Sequence, residues 1–232
     1  MNRRKALSSI AASSLVRANE GLAADTDAKP QYYELRYYQL RNGFANAMPS
    51  AKPVGLKGPF GAFSAFIAEN SPFLLELFTY SSFAEAESNG DSASGYVRYE
   101  RTILKSFSGH PELTLPPSGK SGHIFEVRTY ESNNSSTLRK KIDMFNNGEM
   151  QIFQRLGMNP VFFGEALVGS KLPHLTYMLA FDDLAHRDSA WKAFGTDPEW
   201  LKLRATPGLS DADIVSNISN MLVRGTAFSD IR

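Results

Sequence analysis

A chain of 232 residues has room for one large domain or two small ones, and its 25 basic and 24 acidic residues leave a net charge of +1. That balance removes any electrostatic case for a nucleic-acid partner or an anionic membrane surface. No run approaches the roughly 18 apolar residues that a bilayer span requires. The lack of cysteine excludes disulfides, thiolate metal sites and cysteine nucleophiles.

The chain begins with Arg3-Arg4 ahead of a short apolar-to-small stretch from Ala6 to Val16, and Gly21, Ala23 and Ala24 supply small residues for cleavage. Residues 1–24 read as an export signal of twin-arginine type, which implies a periplasmic or secreted protein. A disordered basic tail is the alternative, since Arg17 interrupts the apolar stretch.

Beyond this segment the chain repeats itself. Tyr33-Glu34-Leu35-Arg36-Tyr37-Tyr38 returns about ninety residues later as Phe125-Glu126-Val127-Arg128-Thr129-Tyr130. A repeat of this period implies two copies of one supersecondary unit. The first copy, residues 31–108, is the shorter. Between its first two strands lies Arg41–Gly58, with three glycines and two prolines, a poor helix. After its third strand, around Phe73–Tyr80, only Phe83–Glu87 has helical character, and Ile103-Leu104-Lys105 belongs to its last strand. Residues 109–122, with Pro111, Pro116 and Pro117, form a linker.

The second copy, residues 123–230, is complete. Ile124–Tyr130 alternates as a strand, and Ser132–Ser136 turns and caps a helix. Leu138, Ile142, Phe145, Ile152 and Leu156 follow at helical spacing, with Gly157 as the stop. Pro160–Val168 and Leu175–Phe181 read as strands. Asp182-Asp183 opens a helix, Asp197-Pro198 opens a shorter one, and Ile214–Arg224 is the last strand. The order β-α-β-β-α-β is the split ferredoxin-like unit. The fold class is therefore α+β, with two tandem units, the first with eroded helices.

Phe125-Glu126-Val127-Arg128-Thr129-Tyr130, Met144-Phe145-Asn146, Phe162-Phe163-Gly164-Glu165, Tyr177–Asp182 and Asp197-Pro198-Glu199-Trp200, in this order and spacing, resemble the NIPSNAP family, most closely its bacterial, tandem-domain, exported form. The resemblance spans most of residues 32–230. It implies a pseudo-dimeric α/β barrel with helices outside, and a family with no agreed enzymatic activity. The short first copy departs from the family pattern and leaves open whether that half closes its side of the barrel.

Strand alternation divides the repeat into two faces. If the helices take Leu35, Phe125 and Val127, the rows Glu34-Arg36-Tyr38 and Glu126-Arg128-Tyr130 are left to line the lumen, joined by Glu165 and Tyr177. Such a set suits an anionic or phenolic ligand, or proton transfer. Alternatively each Glu pairs with an Arg and only braces the sheets. Glu149 interrupts the apolar stripe of its helix, either as a buried acid or as the mark of a helix bend.

His110, His123, His174 and His186 show no ligand spacing, so neither a metal nor a cofactor is expected. Haem would need His174, at a strand start. Trp191 and Trp200 read as core or dimer anchors, Gly169-Ser170-Lys171 as a strand connection, and Ser216–Asn220 as lumen lining or edge defence. Three functions follow: a barrel binding a small apolar or aromatic ligand, an interaction module, or, as the resemblance to the barrel superfamily implies, a cofactor-free enzyme of monooxygenase or dehydratase type using lumen Glu, Arg and Tyr. The interaction module is suggested by Phe60, Phe63 and Phe66 under thin helix cover, and a homo-oligomer fits it.

Overall fold

The computed structural model describes residues 29–43, 51–87, 90, 94–117 and 122–232. The proposed export signal lies outside them. Eight strands are described: β1 (Tyr32–Leu40), β2 (Gly61–Ile67), β3 (Phe73–Tyr80), β4 (Tyr96–Ser106), β5 (Ile124–Glu131), β6 (Asn159–Val168), β7 (His174–Phe181) and β8 (Asn217–Gly225). They close into one antiparallel barrel in the order β1-β3-β2-β8-β5-β7-β6-β4. Within the first half the order is β2-β3-β1-β4, and within the second β6-β7-β5-β8. The two halves therefore share one topology, and the β4–β6 and β2–β8 seams join them. The shortened first half does close its side of the barrel.

Closure leaves no free edge among the described strands, which disposes of the main hazard of exposed strands there. An eight-stranded barrel is just wide enough to be filled by side chains. Here Tyr33, Phe63, Phe73, Leu104, Phe125, Phe162, Met178 and Val223, one from each strand, form a single buried cluster. Because every strand contributes, this cluster must be the interior.

Outside the second half lie α2 (Ser135–Met144), a π turn (Phe145–Glu149), α3 (Met150–Arg155), α4 (Leu184–Thr196), α5 (Pro198–Arg204) and α6 (Asp211–Ile214). Asn134 caps α2 by accepting from the N–H groups of Ser136 and Thr137, and Asp183 caps α4 by accepting from that of His186. Gly157 ends α3 at φ 73°, a conformation glycine adopts without penalty. The last strand starts at Asn217 and not at Ile214, because Ile214 is buried as the end of α6.

Outside the first half the sole described helix is α1 (Phe83–Glu87). Cover comes instead from chain without helix. Ser229 Oγ accepts from the Ala62 N–H and Asp230 Oδ2 from the Phe60 N–H, at 3.0 and 2.9 Å. The Phe228 ring stacks on Phe60. Phe60 is consequently buried, Phe63 is buried in the barrel interior, and Phe66 lies under Arg224 with 3.9 Å between the guanidinium carbon and the ring centre. The apolar patch anticipated there does not exist as an exposed surface, since the C-terminal segment supplies the cover that short helices withhold.

Candidate functional site

The two Glu-x-Arg-x-Tyr rows face outward, which corrects the orientation expected from alternation. Leu35, Phe125 and Val127 belong to the interior cluster, while Tyr130 and Tyr177 belong to the core between the sheet and the helices. The physical reason lies in the helices, which are not apolar throughout. Helix α4 offers Arg187 and Trp191, and α2 offers Lys141, as partners for a polar strand face, while the narrow interior takes the apolar one. The rows also lie apart, since β1 and β5 stand four strands from each other around the eight-strand ring.

Each row is built around a buried carboxylate. Glu126 accepts from Arg128 Nη1 at 2.8 Å, Arg187 Nε at 2.8 Å, Arg187 Nη2 at 2.9 Å, Trp191 Nε1 at 2.7 Å and Asn220 Nδ2 at 3.1 Å. Burial alone would raise its pKa, but Arg187, Arg128 and Trp191 hold it below the usual carboxylate range. Glu34 accepts from Arg36 Nε at 2.6 Å, Arg36 Nη2 at 3.0 Å and Tyr80 at 2.7 Å, and also pairs with Arg101. A carboxylate offers about four acceptor sites, so neither Glu has capacity left for a ligand. Tyr38 is buried in the outer cluster of the first half, stacked on Tyr99. Tyr130 and Tyr177 bond each other at 2.9 Å. Register sets Glu165 opposite Leu175 and Phe163 opposite Tyr177, so both site candidates on this pair of strands also face outward.

Glu149 fits both readings of its place in the sequence. It ends the π turn, is buried, and meets Lys141 Nζ at 3.0 Å. Burial raises its pKa against the pull of Lys141. Lys141 Nζ also lies 5.3 Å from the centre of the Trp200 ring and 5.4 Å from that of Tyr130.

The open space lies inside one end of the barrel. A cavity of about 670 Å³ is floored by Leu35, Leu75, Val127 and Met221 and walled by Tyr37, Glu100, Thr102, Thr129, Thr176 and Ser219. His174, Lys171, Asn70 and Arg98 are at its rim. Thr129 and Thr176 hydroxyls bond across the β5–β7 pair at 3.0 Å. Arg98 Nε pairs with Glu100 at 2.9 Å. The loops before β3 and β7 both reach this rim, and each places a non-glycine residue at positive φ, Asn70 at 54° and Lys171 at 61°.

None of these rim and wall residues stands out in the sequence as a binding group, apart from His174 as a haem candidate and the Ser216–Asn220 stretch as lumen lining. A signal is nonetheless present. The inward rows run Phe125-Val127-Thr129-Glu131 on β5, Ala180-Met178-Thr176-His174 on β7 and Val223-Met221-Ser219-Asn217 on β8. All three pass from apolar to polar toward the same end of the barrel.

Residues 125–230 match the family model of NIPSNAP. None of the curated proteins matches the chain. Among solved structures, a NIPSNAP family protein of unknown function from Agrobacterium tumefaciens is 20% identical over 47% of this chain and 94% of its own, with a TM-score of 0.42. A Lactobacillus acidophilus protein provisionally assigned as a monooxygenase is 8% identical over 84% of this chain and 94% of its own, with a TM-score of 0.56. An anthrone oxidase-like protein is 9% identical over 87% of this chain and 93% of its own, at 0.55. At such identities the last two establish a shared α/β barrel and nothing of chemistry.

Proposed function

We propose that this protein, whose residues 125–230 form a NIPSNAP domain, binds a small, partly apolar molecule in the open end of its barrel. One observation carries the reading: the interior is packed solid at one end and gives way at the other to a cavity of about 670 Å³ with an aliphatic floor and hydroxyl-bearing walls. Apolar concavities with a few convergent polar groups are the ordinary form of a ligand site. Glu126 and Arg128 do not orient the ligand, because both face the helix layer, where Arg187 and Trp191 bond Glu126 and the Arg128 guanidinium lies over the Trp191 ring. The enzymatic alternative takes Glu126 or Glu165 as its base; Glu126 is engaged by Arg187 and Trp191, and Glu165 faces away from the cavity.

Native mass spectrometry of the purified protein tests the reading. The expected result is a retained small mass, lost on denaturation and absent in Met221→Trp, whose indole fills the floor. Retention of the same mass by Met221→Trp places the molecule elsewhere and ends this reading.

We further propose that residues 31–108 are a shortened copy of the unit at 123–230, joined through 109–122. A single chain would then supply both halves of a barrel, with no partner copy needed to close it. Residues 1–24 would direct export of the folded protein, and the mass of mature protein from a bacterial periplasm checks that directly.

A further inference from the structure

His174 begins β7 and points inward with Thr176 and Met178, at the rim of the cavity. Its Nδ1 lies 3.3 Å from the Lys171 carbonyl oxygen. A carbonyl only accepts, so the neutral ring must carry its proton on Nδ1. The tautomer is thereby fixed, and Nε2 keeps a bare lone pair. Among the described residues no group donates to that Nε2.

The reach of the ring follows from strand geometry. Register pairs Val127 with Met178, Thr129 with Thr176 and Glu131 with His174. At about 3.3 Å per residue, the rim at His174 stands about 13 Å along β7 from the level of Met178, which register sets opposite Val127 of the floor. Van der Waals contact at one end and a hydrogen bond at the other leave room for about 7 Å of ligand, the size of one ring or a fused pair.

We infer that His174 Nε2 is the hydrogen-bond acceptor that selects, for this cavity, aromatic or enolic ligands carrying a weakly acidic hydroxyl. The inference rests on the cavity being the binding site and adds the ligand class. Burial lowers the pKa of His174, which keeps the ring neutral near pH 7. The charged groups around it are Lys171 on its own loop and Glu131 on β5. Glu131 is engaged by Asn217 Nδ2 at 2.9 Å. Glu69, Arg98, Glu100 and the Tyr37 phenol line the same mouth. Of the cations at this mouth, Arg98 is paired with Glu100 and Lys171 Nζ lies 3.9 Å from Glu131 Oε1.

The probes are β-naphthol and its methyl ether, titrated calorimetrically into the full chain. The expected result is a preference of about tenfold for the naphthol, one neutral hydrogen bond converted to affinity. His174→Phe should bring the naphthol down to the ether. His174→Gln, whose amide oxygen can stand near the Nε2 position, should restore part of the preference. Acidification below the ordinary histidine range should weaken the naphthol in wild type and leave it unchanged in His174→Phe.

Equal affinity for both compounds in wild type, or a preference that survives His174→Phe, overturns the role of His174. The cavity reading stands in that case if Met221→Trp abolishes binding of both. Failure of both compounds to bind, or indifference to Met221→Trp, overturns the two together. Nitrogen NMR of wild type gives a check that needs no variant: a neutral His174 protonated on Nε2 would sink the inference.

Discussion

Arg187 grips Glu126 through two nitrogens, with Nε 2.8 Å from Oε2 and Nη2 2.9 Å from Oε1. This bidentate clasp ties α4 to the middle of β5, and it is the kind of pair in which geometry adds to charge. Its consequence is a pH dependence. The folded pKa of Glu126 lies below the unfolded one, so the stabilisation is present above the ordinary carboxylate range and is lost as pH falls through the lowered value. Urea unfolding between neutral and acid pH should show a shallower acid-side decline in Glu126→Gln than in wild type. Identical slopes would mean that Glu126 contributes nothing to the acid sensitivity.

Removal of Arg187 is a separate matter from removal of the charge. In Arg187→Met the carboxylate keeps Arg128, Trp191 and Asn220, so the loss should be about 1–3 kcal/mol. In Glu126→Leu the half-buried Arg128 and Arg187 both lose their shared acceptor, and the cost should exceed that of Arg187→Met. Equal losses in denaturant titrations of the two variants would contradict the hub arrangement.

The Lys141–Glu149 pair lies beneath α2 and the π turn, and both groups are almost fully buried. Burial would lower the Lys141 pKa, but Glu149 and Asp211 raise it above the lysine range. The Lys141 contribution is therefore present at neutral pH and lost as pH rises through that raised value, whereas burial of Glu149 works the other way, its ionisation costing stability as pH rises through the carboxylate range. Lys141→Met strands a buried acid and should cost about 3–5 kcal/mol, whereas Lys141→Met with Glu149→Leu should recover much of it. A double variant no more stable than the single would show that the pair's shape matters more than its charge.

The second half is legible in the sequence almost element by element, because its signals are local. Asn134, Asp183, Asp197-Pro198 and Gly157 act within one turn of where they sit. The short helix Phe83–Glu87 is readable for the same reason. The facing of the strands is not. Alternation tells that Glu126 and Val127 point apart, and it carries no information on which side the helices lie. What decides it is α4, sixty residues away, bringing Arg187 to Glu126. The covering of Phe60 by Phe228 and Asp230 is equally non-local, with 170 residues between donor and acceptor. The candidate cavity needs the inward rows of six strands, β1, β3, β4, β5, β7 and β8, to be aligned at once, and only barrel closure aligns them.

That closing contact makes a prediction of its own at the C-terminal segment. Asp230 accepts from the Phe60 N–H and pairs with Lys52, and Ser229 Oγ accepts from the Ala62 N–H. Ser229 is buried, so Ser229→Ala leaves an amide hydrogen without its acceptor and should cost about 1–3 kcal/mol. Asp230→Asn, on a more exposed residue, should cost less. Thermal unfolding would rank the two, and the reverse order would show that the Asp230 carboxylate holds this segment more firmly than the buried Ala62 amide does.

The β4–β6 seam depends on the smallness of one residue. Gly164 sits where a Cβ would come within 2.7 Å of Leu104 Cβ, and Leu104 is part of the interior cluster. Register sets Leu104 opposite Ala166 and Ser106 opposite Gly164, so Leu104 is the diagonal neighbour of Gly164 across the seam. Gly164→Ala should therefore act as overpacking, at about 1–3 kcal/mol, and not as the gain that removing a strand glycine usually brings. Leu104→Ala in the same chain opens the space that the new methyl needs. If the seam is as tight as the geometry requires, the double variant loses less than the sum of the two single losses. Strict additivity in denaturant titrations would mean that the strands part freely there and that closure of the barrel does not rest on this contact.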